Sequence, residues 1–429
     1  MNNKRIVWID QLKAIGFFFV ILGHLEINET FQLWIYSFHM PLFLLVTGLT
    51  FNFDKAFRTD FKTFFLTRVK RLIIPYFWMS MISLSILYLR RLILGGSIPD
   101  LSDYLMGILL ANTRITKVAP SPALYYVVLL FFSEIGLWFI IKIARNKKPY
   151  ILLLLLAVLP ASLLTINAKV VLHLNVVPVA MLLIFIGRIL MDLYQSGYKE
   201  KLDALSSDRY FCLCALMLIA GSALAFINER ISIHANKYGR EFIAFLACAL
   251  LINIALALIT MRLPDSRLFT YIGQSTLFYM GMHSEIKNVL EQIGRTFTSI
   301  ESAEFITAAL LILFFGLAPL SKITDRYFPF VSGKSTTVKD RKTLLCQTFM
   351  TFFAFAAVYY TAVSHLAAAY LPSLLSGALP KVGFHAAATV IWALVCLVGC
   401  IAARKIFPAV FLIEKQRPAV KSGNGIINS

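Results

Sequence analysis

The sequence has few charged residues for its length, and few of these are acidic. Of its 429 residues, 15% are charged and 59% are hydrophobic. A mean hydropathy of +0.76 is too high for a soluble globular protein and is typical of a chain that crosses a membrane many times. Because 41 basic residues face only 22 acidic ones, the net charge is +19. In a membrane protein such an excess marks cytoplasmic loops, so we expect no nucleic-acid partner.

Cysteine motifs and internal repeats are also missing. The six cysteines follow neither metal-ligand spacing nor a disulfide pattern, so we expect no metal site. All of them lie in or beside apolar segments, which favours a packing role. Secondary transporters commonly contain two halves with broken helices in matching positions, and no such repeat is evident here. The missing repeat argues against a secondary transporter or glycan flippase, which we keep as the alternative to an enzyme.

Long apolar runs dominate the remaining sequence and predict an all-α fold. Runs of about 15 to 28 residues indicate a polytopic transmembrane helical bundle with about 10 core spans plus 2 C-terminal spans. Most Lys and Arg residues fall in alternate connecting segments, which places both termini in the cytoplasm. The predicted spans lie near residues 10–26, 34–51, 72–94, 121–141, 150–166, 171–190, 211–227, 242–261, 268–283, 304–320, 345–371 and 384–403.

Two polar stretches interrupt this pattern. Residues 329–344 are rich in Ser, Thr and Lys and predict a cytoplasmic linker. This linker separates a transmembrane domain of residues 1–328 from a two-span extension with a polar tail, residues 345–429. Residues 57–70 carry phenylalanines near helical spacing, which predicts an amphipathic helix lying in the membrane interface before the third span.

The first predicted helix keeps three ionisable residues, although charge inside a bilayer is costly. At about 100° per residue, Asp10, Lys13 and His24 share one helical face. At about 1.5 Å per residue, Lys13 and His24 lie roughly 16 Å apart along the helix axis. This spacing predicts a site for a long ligand lying against the helix. Two simpler interpretations stay open: Asp10 neutralises Lys13 at i+3, or Lys13 only reaches the lipid headgroups.

Two further charged residues directly precede the predicted third span, and a third lies inside the fourth. Arg68 and Arg71 point the same way at i and i+3, so they can bind a phosphate group in a bidentate manner. An anchor to lipid headgroups is the alternative role for this pair. Glu134 lies inside the fourth span, where an ionisable group indicates function, but the sequence assigns it no partner.

Four motifs follow one another in the sequence: Lys13 followed eleven residues later by His24, Phe38-His39-Met-Pro41-Leu-Phe, Arg68-x-x-Arg71, and Gly273-x-Ser275 with Tyr279 and His283. Together they resemble the integral-membrane acyltransferase family 3, particularly its sugar O-acetylase members of the fucose 4-O-acetylase type. The resemblance covers roughly residues 5–325. The sequence departs from the family pattern at Leu124-Tyr125-Tyr126, where many members have Trp-Phe-Leu.

The resemblance implies an O-acyltransferase in a bacterial inner membrane. Such an enzyme moves an acyl group, usually acetyl from acetyl-CoA, to a hydroxyl of a cell-surface glycan or its lipid-linked precursor. Acetyl-CoA is then the donor substrate and no cofactor is bound permanently; the other partners are the glycan acceptor and membrane lipids.

The residues expected to carry this chemistry lie in the matching motifs. His24 either takes the proton of the acceptor hydroxyl as a general base or forms an acetyl-histidine. The predicted catalytic residues are His24, His39 and His283; the donor-binding residues are Lys13, Arg68 and Arg71; the supporting residues are Asp10, Ser275 and Glu134. The remaining histidines, His173, His234, His365 and His385, are assigned structural or loop roles.

Overall fold

The computed structural model describes residues 6–94, 101–112 and 122–334, together with a few isolated positions. Within these ranges the chain is almost entirely helical, and its one sheet is a small antiparallel hairpin. In this hairpin, Ile231 pairs with Tyr238 and Ser232 pairs with Lys237. The predicted all-α class is therefore confirmed.

The described helices and strands follow one another along the chain, several of them joined by short 3-10 or π turns. In chain order they are α1 (Val7–His24), α2 (Glu29–Thr50), α3 (Phe53–Arg58), α4 (Phe61–Arg68), α5 (Ile74–Leu94), α6 (Leu101–Leu110), α7 (Tyr125–Ile143), α8 (Lys148–Val158), α9 (Pro160–Leu163), α10 (Val177–Leu193), α11 (Lys199–Asp203), α12 (Ser207–Asn228), β1 (Ile231–Ser232), β2 (Lys237–Tyr238), α13 (Phe242–Arg262), α14 (Arg267–Gln274), α15 (Thr276–Gly294), α16 (Ala303–Leu311) and α17 (Leu317–Tyr327).

Most predicted core spans are present as long apolar helices. Among the described residues, 8 helical segments are long and apolar enough to cross a membrane, and each coincides with a predicted span. The predicted span at 150–166 is a shorter apolar helical segment, Lys148–Leu163. The predicted span at 268–283 is interrupted at Ser275, which separates α14 from α15. The predicted spans at 345–371 and 384–403 lie outside the described residues, apart from isolated positions.

Two capping side chains fix the short helices that precede α5. The Asn52 side chain accepts a hydrogen bond from the Lys55 backbone N–H at the start of α3. The Asp60 side chain accepts one from the Thr63 backbone N–H at the start of α4. These contacts satisfy N–H groups that the first helical turn leaves without a partner.

Residues 57–70 do not form the separate interfacial helix that their sequence predicts. Instead α4 continues through a π turn into α5, so its residues begin the third span. The ring of Phe61 lies 5.3 Å from that of Trp138, and the ring of Phe65 lies 5.6 Å from that of Phe131. Phe64 is buried but Phe61 stays 42% exposed, so α7 covers this phenylalanine face only in part.

Glycines allow two pairs of helices to meet backbone to backbone. A Cβ atom at Gly273 in α14 would lie only 1.7 Å from the carbonyl oxygen of Asp10 in α1. A Cβ atom at Gly48 in α2 would lie 2.0 Å from the carbonyl oxygen of Ile184 in α10. Small residues at such crossings are typical of membrane bundles, because they let helix backbones approach closely. These crossings hold α1 and α2, which carry His24 and His39, against the rest of the bundle.

The packed bundle continues past residue 328 into the predicted linker. Residues Pro329–Ser332 form a 3-10 turn, and both Phe330 and Val331 are fully buried. The ring of Phe330 lies 4.8 Å from that of Trp78 in α5. Apolar side chains thus draw the first part of the predicted linker onto the bundle. The rest of the linker and nearly all of the extension lie outside the described residues.

Candidate functional site

Two cavities lined by polar side chains lie at different depths along α2. The first, of about 230 Å³, is lined by His24 and His39 and is named the histidine cavity. The second, of about 370 Å³, is lined by Arg68 and Arg71 and is named the arginine cavity. The residues of α2 that line them are Tyr36, His39 and Met40 for the histidine cavity, and Thr47 and Thr50 for the arginine cavity.

Glu134 joins the two arginines of the arginine cavity. Its side chain is fully buried in α7. Arg68 Nε donates a hydrogen bond to Glu134 Oε2, and Arg71 Nη2 donates one to Glu134 Oε1 at 2.9 Å. These charge-assisted contacts are the kind that a buried carboxylate requires. The structure therefore supplies the partner that the sequence left unassigned.

The two arginines differ in their exposure. The Arg68 side chain is 16% exposed, and its guanidinium lies 4.1 Å from the centre of the Phe64 ring, a cation–π contact. The Arg71 side chain is 53% exposed, and it donates a single hydrogen bond to Glu134. Arg68 is therefore a largely fixed structural cation, whereas Arg71 keeps N–H donors that a ligand can reach.

The arginine cavity suits an anion. Besides the two arginines, Lys55 lines it, so three cations face the single carboxylate of Glu134 among the described lining residues. Four of the five lining threonines donate their hydroxyl protons to backbone carbonyls three or four residues earlier in the chain, so the cationic groups are the main donors that face the cavity. These threonines are Thr47, Thr50, Thr59 and Thr67. A phosphate group is the ligand that such a set of donors binds well.

Hydrogen bonds fix the tautomers of two histidines near the histidine cavity. His39 Nδ1 lies 2.8 Å from the carbonyl oxygen of Ile35, and His283 Nδ1 lies 2.9 Å from that of Tyr279. Because a carbonyl only accepts, Nδ1 carries the proton in both rings, and Nε2 of each neutral ring is an acceptor. His39 Nε2 can therefore accept a proton or a hydrogen bond from a bound hydroxyl.

His24 ends α1 and lines the histidine cavity. Its ring centroid lies 5.3 Å from that of His283, which packs behind it and is fully buried. Neither ring nitrogen of His24 has a hydrogen-bond partner within the described part of the chain. The structure thus brings together the three histidines predicted to be catalytic. His24 and His39 line the cavity, and His283 supports His24.

The remaining predicted residues lie near the amino-terminal half of α1. Lys13 Nζ lies 3.2 Å from Asp10 Oδ1, so the ion pair of the simpler interpretation is present. Gln274 Nε2 donates a hydrogen bond to Asp10 Oδ2 at 3.4 Å. Ser275 is buried at the break between α14 and α15, and its hydroxyl has no partner among the described residues. Lys13 is not among the described residues lining the arginine cavity.

The surface that relates the two cavities belongs to α2 and not to α1. His39, Phe43 and Thr47 are spaced four residues apart, so they form one stripe along the helix. At about 1.5 Å per residue, His39 and Thr47 are about 12 Å apart along the helix axis. Phe43 lies between the two cavities on this stripe and packs against Tyr126.

Several residues of the histidine cavity were not identified from the sequence. His234 was assigned a loop role, yet it lines the cavity with His24. Tyr125, in the segment that departs from the family pattern, lines it as well. No local signal marks these side chains, because only tertiary packing brings them together. The complete described lining is Val20, His24, Tyr36, His39, Met40, Pro122, Ala123, Tyr125, Ser232, Ile233, His234 and Met280.

Comparison with known proteins points to one family. A family model described as an acyltransferase domain, that of acyltransferase family 3, matches residues 6–321. This range includes every described lining residue of both cavities. The comparison with curated proteins found no match, and neither did the comparison with solved structures.

Proposed function

The chain belongs to acyltransferase family 3, and on this premise we propose that it is a membrane O-acetyltransferase acting on carbohydrate. It moves an acetyl or other short acyl group from acyl-CoA to a hydroxyl of a cell-surface glycan or its lipid-linked precursor. One observation carries this proposal: a cavity lined by three cationic side chains and a cavity lined by histidines lie on the same face of α2. An acyl-CoA has a polyphosphate end and a slim arm ending in a thioester, so it matches both.

The arginine cavity holds the phosphates of the donor. Arg71 makes the direct contacts, and Arg68 is fixed by Glu134 so that it reinforces the positive charge behind them. The arm then follows the α2 stripe toward His39, past Phe43. This path requires the Phe43 side chain to move, because Phe43 is buried between the cavities. The thioester reaches the histidine cavity at the end of the path.

The histidine cavity supplies the proton acceptor. His24 takes the proton of the acceptor hydroxyl as its oxygen attacks the thioester carbonyl carbon. The carbon–sulfur bond then breaks, and the same proton passes from the imidazolium to the departing thiolate. His39 presents Nε2 to a second hydrogen-bond donor, and His283 holds the His24 ring in place. An acetyl-histidine at His24 is the alternative route, in which two transfers replace one.

The distribution of basic residues supports one orientation of the protein in the membrane. We propose that the arginine cavity opens on the cytoplasmic side of a bacterial inner membrane, where acyl-CoA is made, and that both termini lie there. Arg58, Lys62 and Lys70 surround this end of the bundle, as expected for a cytoplasmic surface. The histidine cavity then lies toward the outer half of the membrane.

Incubating membranes that contain the protein with radiolabelled acetyl-CoA tests the proposed function. We expect base-labile label in the surface polysaccharide or its lipid-linked precursor, since an O-acetyl ester is cleaved by mild base. Membranes with His24→Asn at the same protein level are the control and should incorporate little label. A flippase would move glycan across the membrane without forming any labelled ester. That result would favour the alternative function.

Arg71→Ala is expected to raise the KM for acyl-CoA about 10- to 150-fold, the equivalent of about 1.5–3 kcal/mol for a charge-assisted contact. The value of kcat should change little, because a phosphate contact is present in the ground state and the transition state alike. Arg71→Lys should restore only part of the affinity, since the planar fork is lost. Initial rates against donor concentration give both constants.

The matched control for this prediction is Arg58→Ala. Arg58 is exposed in the same basic segment but is not among the described residues that line the cavity. Its removal should leave the donor KM within about twofold of the parent, as expected for a surface charge. Equal donor KM values for Arg71→Ala and the parent would show that Arg71 does not bind the donor phosphates.

A further inference from the structure

One buried side chain closes the base of the hairpin between α12 and α13. Asn228, at the end of α12, donates from Nδ2 to the Tyr238 carbonyl oxygen at 2.8 Å. Its Oδ1 accepts a hydrogen bond from the backbone N–H of Glu241 at 2.8 Å. Gly239, at φ +80°, passes so close that a Cβ atom there would lie 2.2 Å from the Asn228 carbonyl oxygen. The two arms of the hairpin are thereby held together.

A second asparagine fixes the tip of the hairpin. Asn236 has a left-handed backbone conformation, with φ at 53°, and its side chain is buried. Its Nδ2 donates to the carbonyl oxygens of Ser162 at 2.9 Å and Thr165 at 2.8 Å. Tyr238 Oη donates to Asn236 Oδ1 at 2.6 Å. The tip is therefore hydrogen-bonded to the segment that follows α8, so the hairpin forms a fixed platform against the bundle.

This platform directs three consecutive residues, Ser232, Ile233 and His234, to the histidine cavity. The His234 ring is one of three rings that pack against one another: its centroid lies 4.7 Å from that of Tyr125 and 4.8 Å from that of His173, and those two lie 4.9 Å apart. His173 in turn has its Nε2 2.9 Å from the Ala111 carbonyl oxygen. The orientation of His234 is thus determined by its neighbours.

The backbone around His173 is also conformationally constrained. Leu172 and His173 have positive φ values of 56° and 54°, which residues with a side chain rarely adopt. Such conformations persist only where the surrounding structure enforces them, and they cluster at functional sites. Here the enforced conformation places the His173 ring against His234.

Proton transfer in the proposed reaction does not require His234. A single proton passes from the acceptor hydroxyl to the departing thiolate, and His24 carries it. A neutral imidazole has one donor and one acceptor, and so does a hydroxyl group. The rest of the wall combines aromatic rings at Tyr36 and Tyr125 with apolar groups at Val20 and Met40. Such a wall fits the C–H face of a sugar ring, and the polar side chains fit its hydroxyl edge.

The size of the cavity favours a single ring. Its volume of about 230 Å³ is below the roughly 300–1,000 Å³ of pockets for drug-sized ligands. It is therefore too small for a long glycan segment and matches the terminal residue of one.

From these observations we propose that the hairpin of residues 229–241 forms the acceptor subsite of the histidine cavity. In it, a single sugar residue is bound, and His234 hydrogen-bonds one of its hydroxyls that is not the hydroxyl to be acetylated. This inference rests on the proposed function. It makes His234 a positioning and specificity-determining residue rather than a catalytic one.

The test measures sugar binding and acetyl transfer separately on the purified full-length protein. A panel of methyl glycosides of hexoses and 6-deoxyhexoses serves as the probe. Saturation-transfer NMR without acetyl-CoA gives the Kd of each glycoside, and release of CoA thiol above the acceptor-free rate gives the acceptor KM. For the glycoside that the parent binds, His234→Ala should raise Kd and KM about tenfold, the loss of about one hydrogen bond. His234→Gln, which keeps a donor and an acceptor, should restore part of the affinity.

Two controls separate this role from a structural one. Lys237→Ala changes an exposed residue of the same hairpin and should leave Kd and KM unchanged. The donor KM and the unfolding temperature should be the same in all variants. The inference fails if no glycoside binds the parent, if His234→Ala binds as the parent does, or if His234→Ala lowers kcat with KM unchanged. Binding that is lost in His234→Ala, without acetyl transfer by the parent, would retain the subsite and overturn the proposed function.

Discussion

His24→Asn is expected to lose about 10²- to 10⁴-fold in kcat, which is about 3–5 kcal/mol of transition-state stabilisation. Asparagine keeps polarity and approximate size, but it cannot accept a proton. Both ring nitrogens of His24 lie without a hydrogen-bond partner among the described residues, which leaves them available to the acceptor hydroxyl. The donor KM should change little, because the arginine cavity lies on the far side of Phe43. Acetyl transfer at saturating donor, normalised to protein in the membrane, measures the effect.

His39→Asn and His283→Asn provide the comparison. His283 touches His24 but is not among the described lining residues, so its loss should act through the position of His24 and cost less. His39 should also have a smaller effect if it only binds a donor group through Nε2. Activity of His24→Asn within threefold of the parent would remove His24 from the chemistry. The next candidate base would then be His39, because its tautomer already presents an acceptor nitrogen to the cavity. Glu134 is committed to two arginines in the other cavity.

Glu134→Gln is expected to destabilise the protein by about 3 kcal/mol, because removing one partner of a buried ion pair leaves the other charge without compensation. Arg68 carries most of this cost, since its side chain is 16% exposed, whereas the Arg71 side chain is 53% exposed. The donor KM should rise as well, because Glu134 orients both guanidinium groups. Thermal unfolding in detergent with and without acyl-CoA measures the stability, and initial rates give the KM.

Glu229→Gln is a matched control for this prediction. It makes the same change in another Glu–Arg pair, but the Glu229 and Arg240 side chains are 56% and 65% exposed. Arg240 holds the pKa of the Glu229 carboxyl below its usual value, mainly through a hydrogen bond, yet solvent screens the pair. Its loss should have almost no effect on stability. Equal unfolding temperatures for Glu134→Gln and Glu229→Gln would contradict a stabilising role of the buried pair.

The sequence by itself determined the class of the protein and the positions of most spans. Bilayer thickness sets the length of an apolar helix, so a run such as 242–261 is recognisable without tertiary information. The same holds for relations within one helix, such as the i+3 spacing of Asp10 and Lys13, whose ion pair is present. The weak predictions were those that depended on packing. The span predicted at 268–283 is broken at Ser275, and part of the predicted interfacial helix at 57–70 continues into the third span and contacts α7.

Only the tertiary structure decided which side chains meet. Glu134 lies 63 residues from Arg71, and neither local propensity nor periodicity relates residues so distant in the chain. His234 reaches the cavity of His24 because asparagines tie a distant hairpin to the bundle. The two cavities lie along α2 and not along α1, because the Asp10–Lys13 end of α1 packs against α14. The sequence contains each of these side chains, but the packing of separate helices selects their partners. The free energy of this packing comes from contacts between residues that are far apart in the chain.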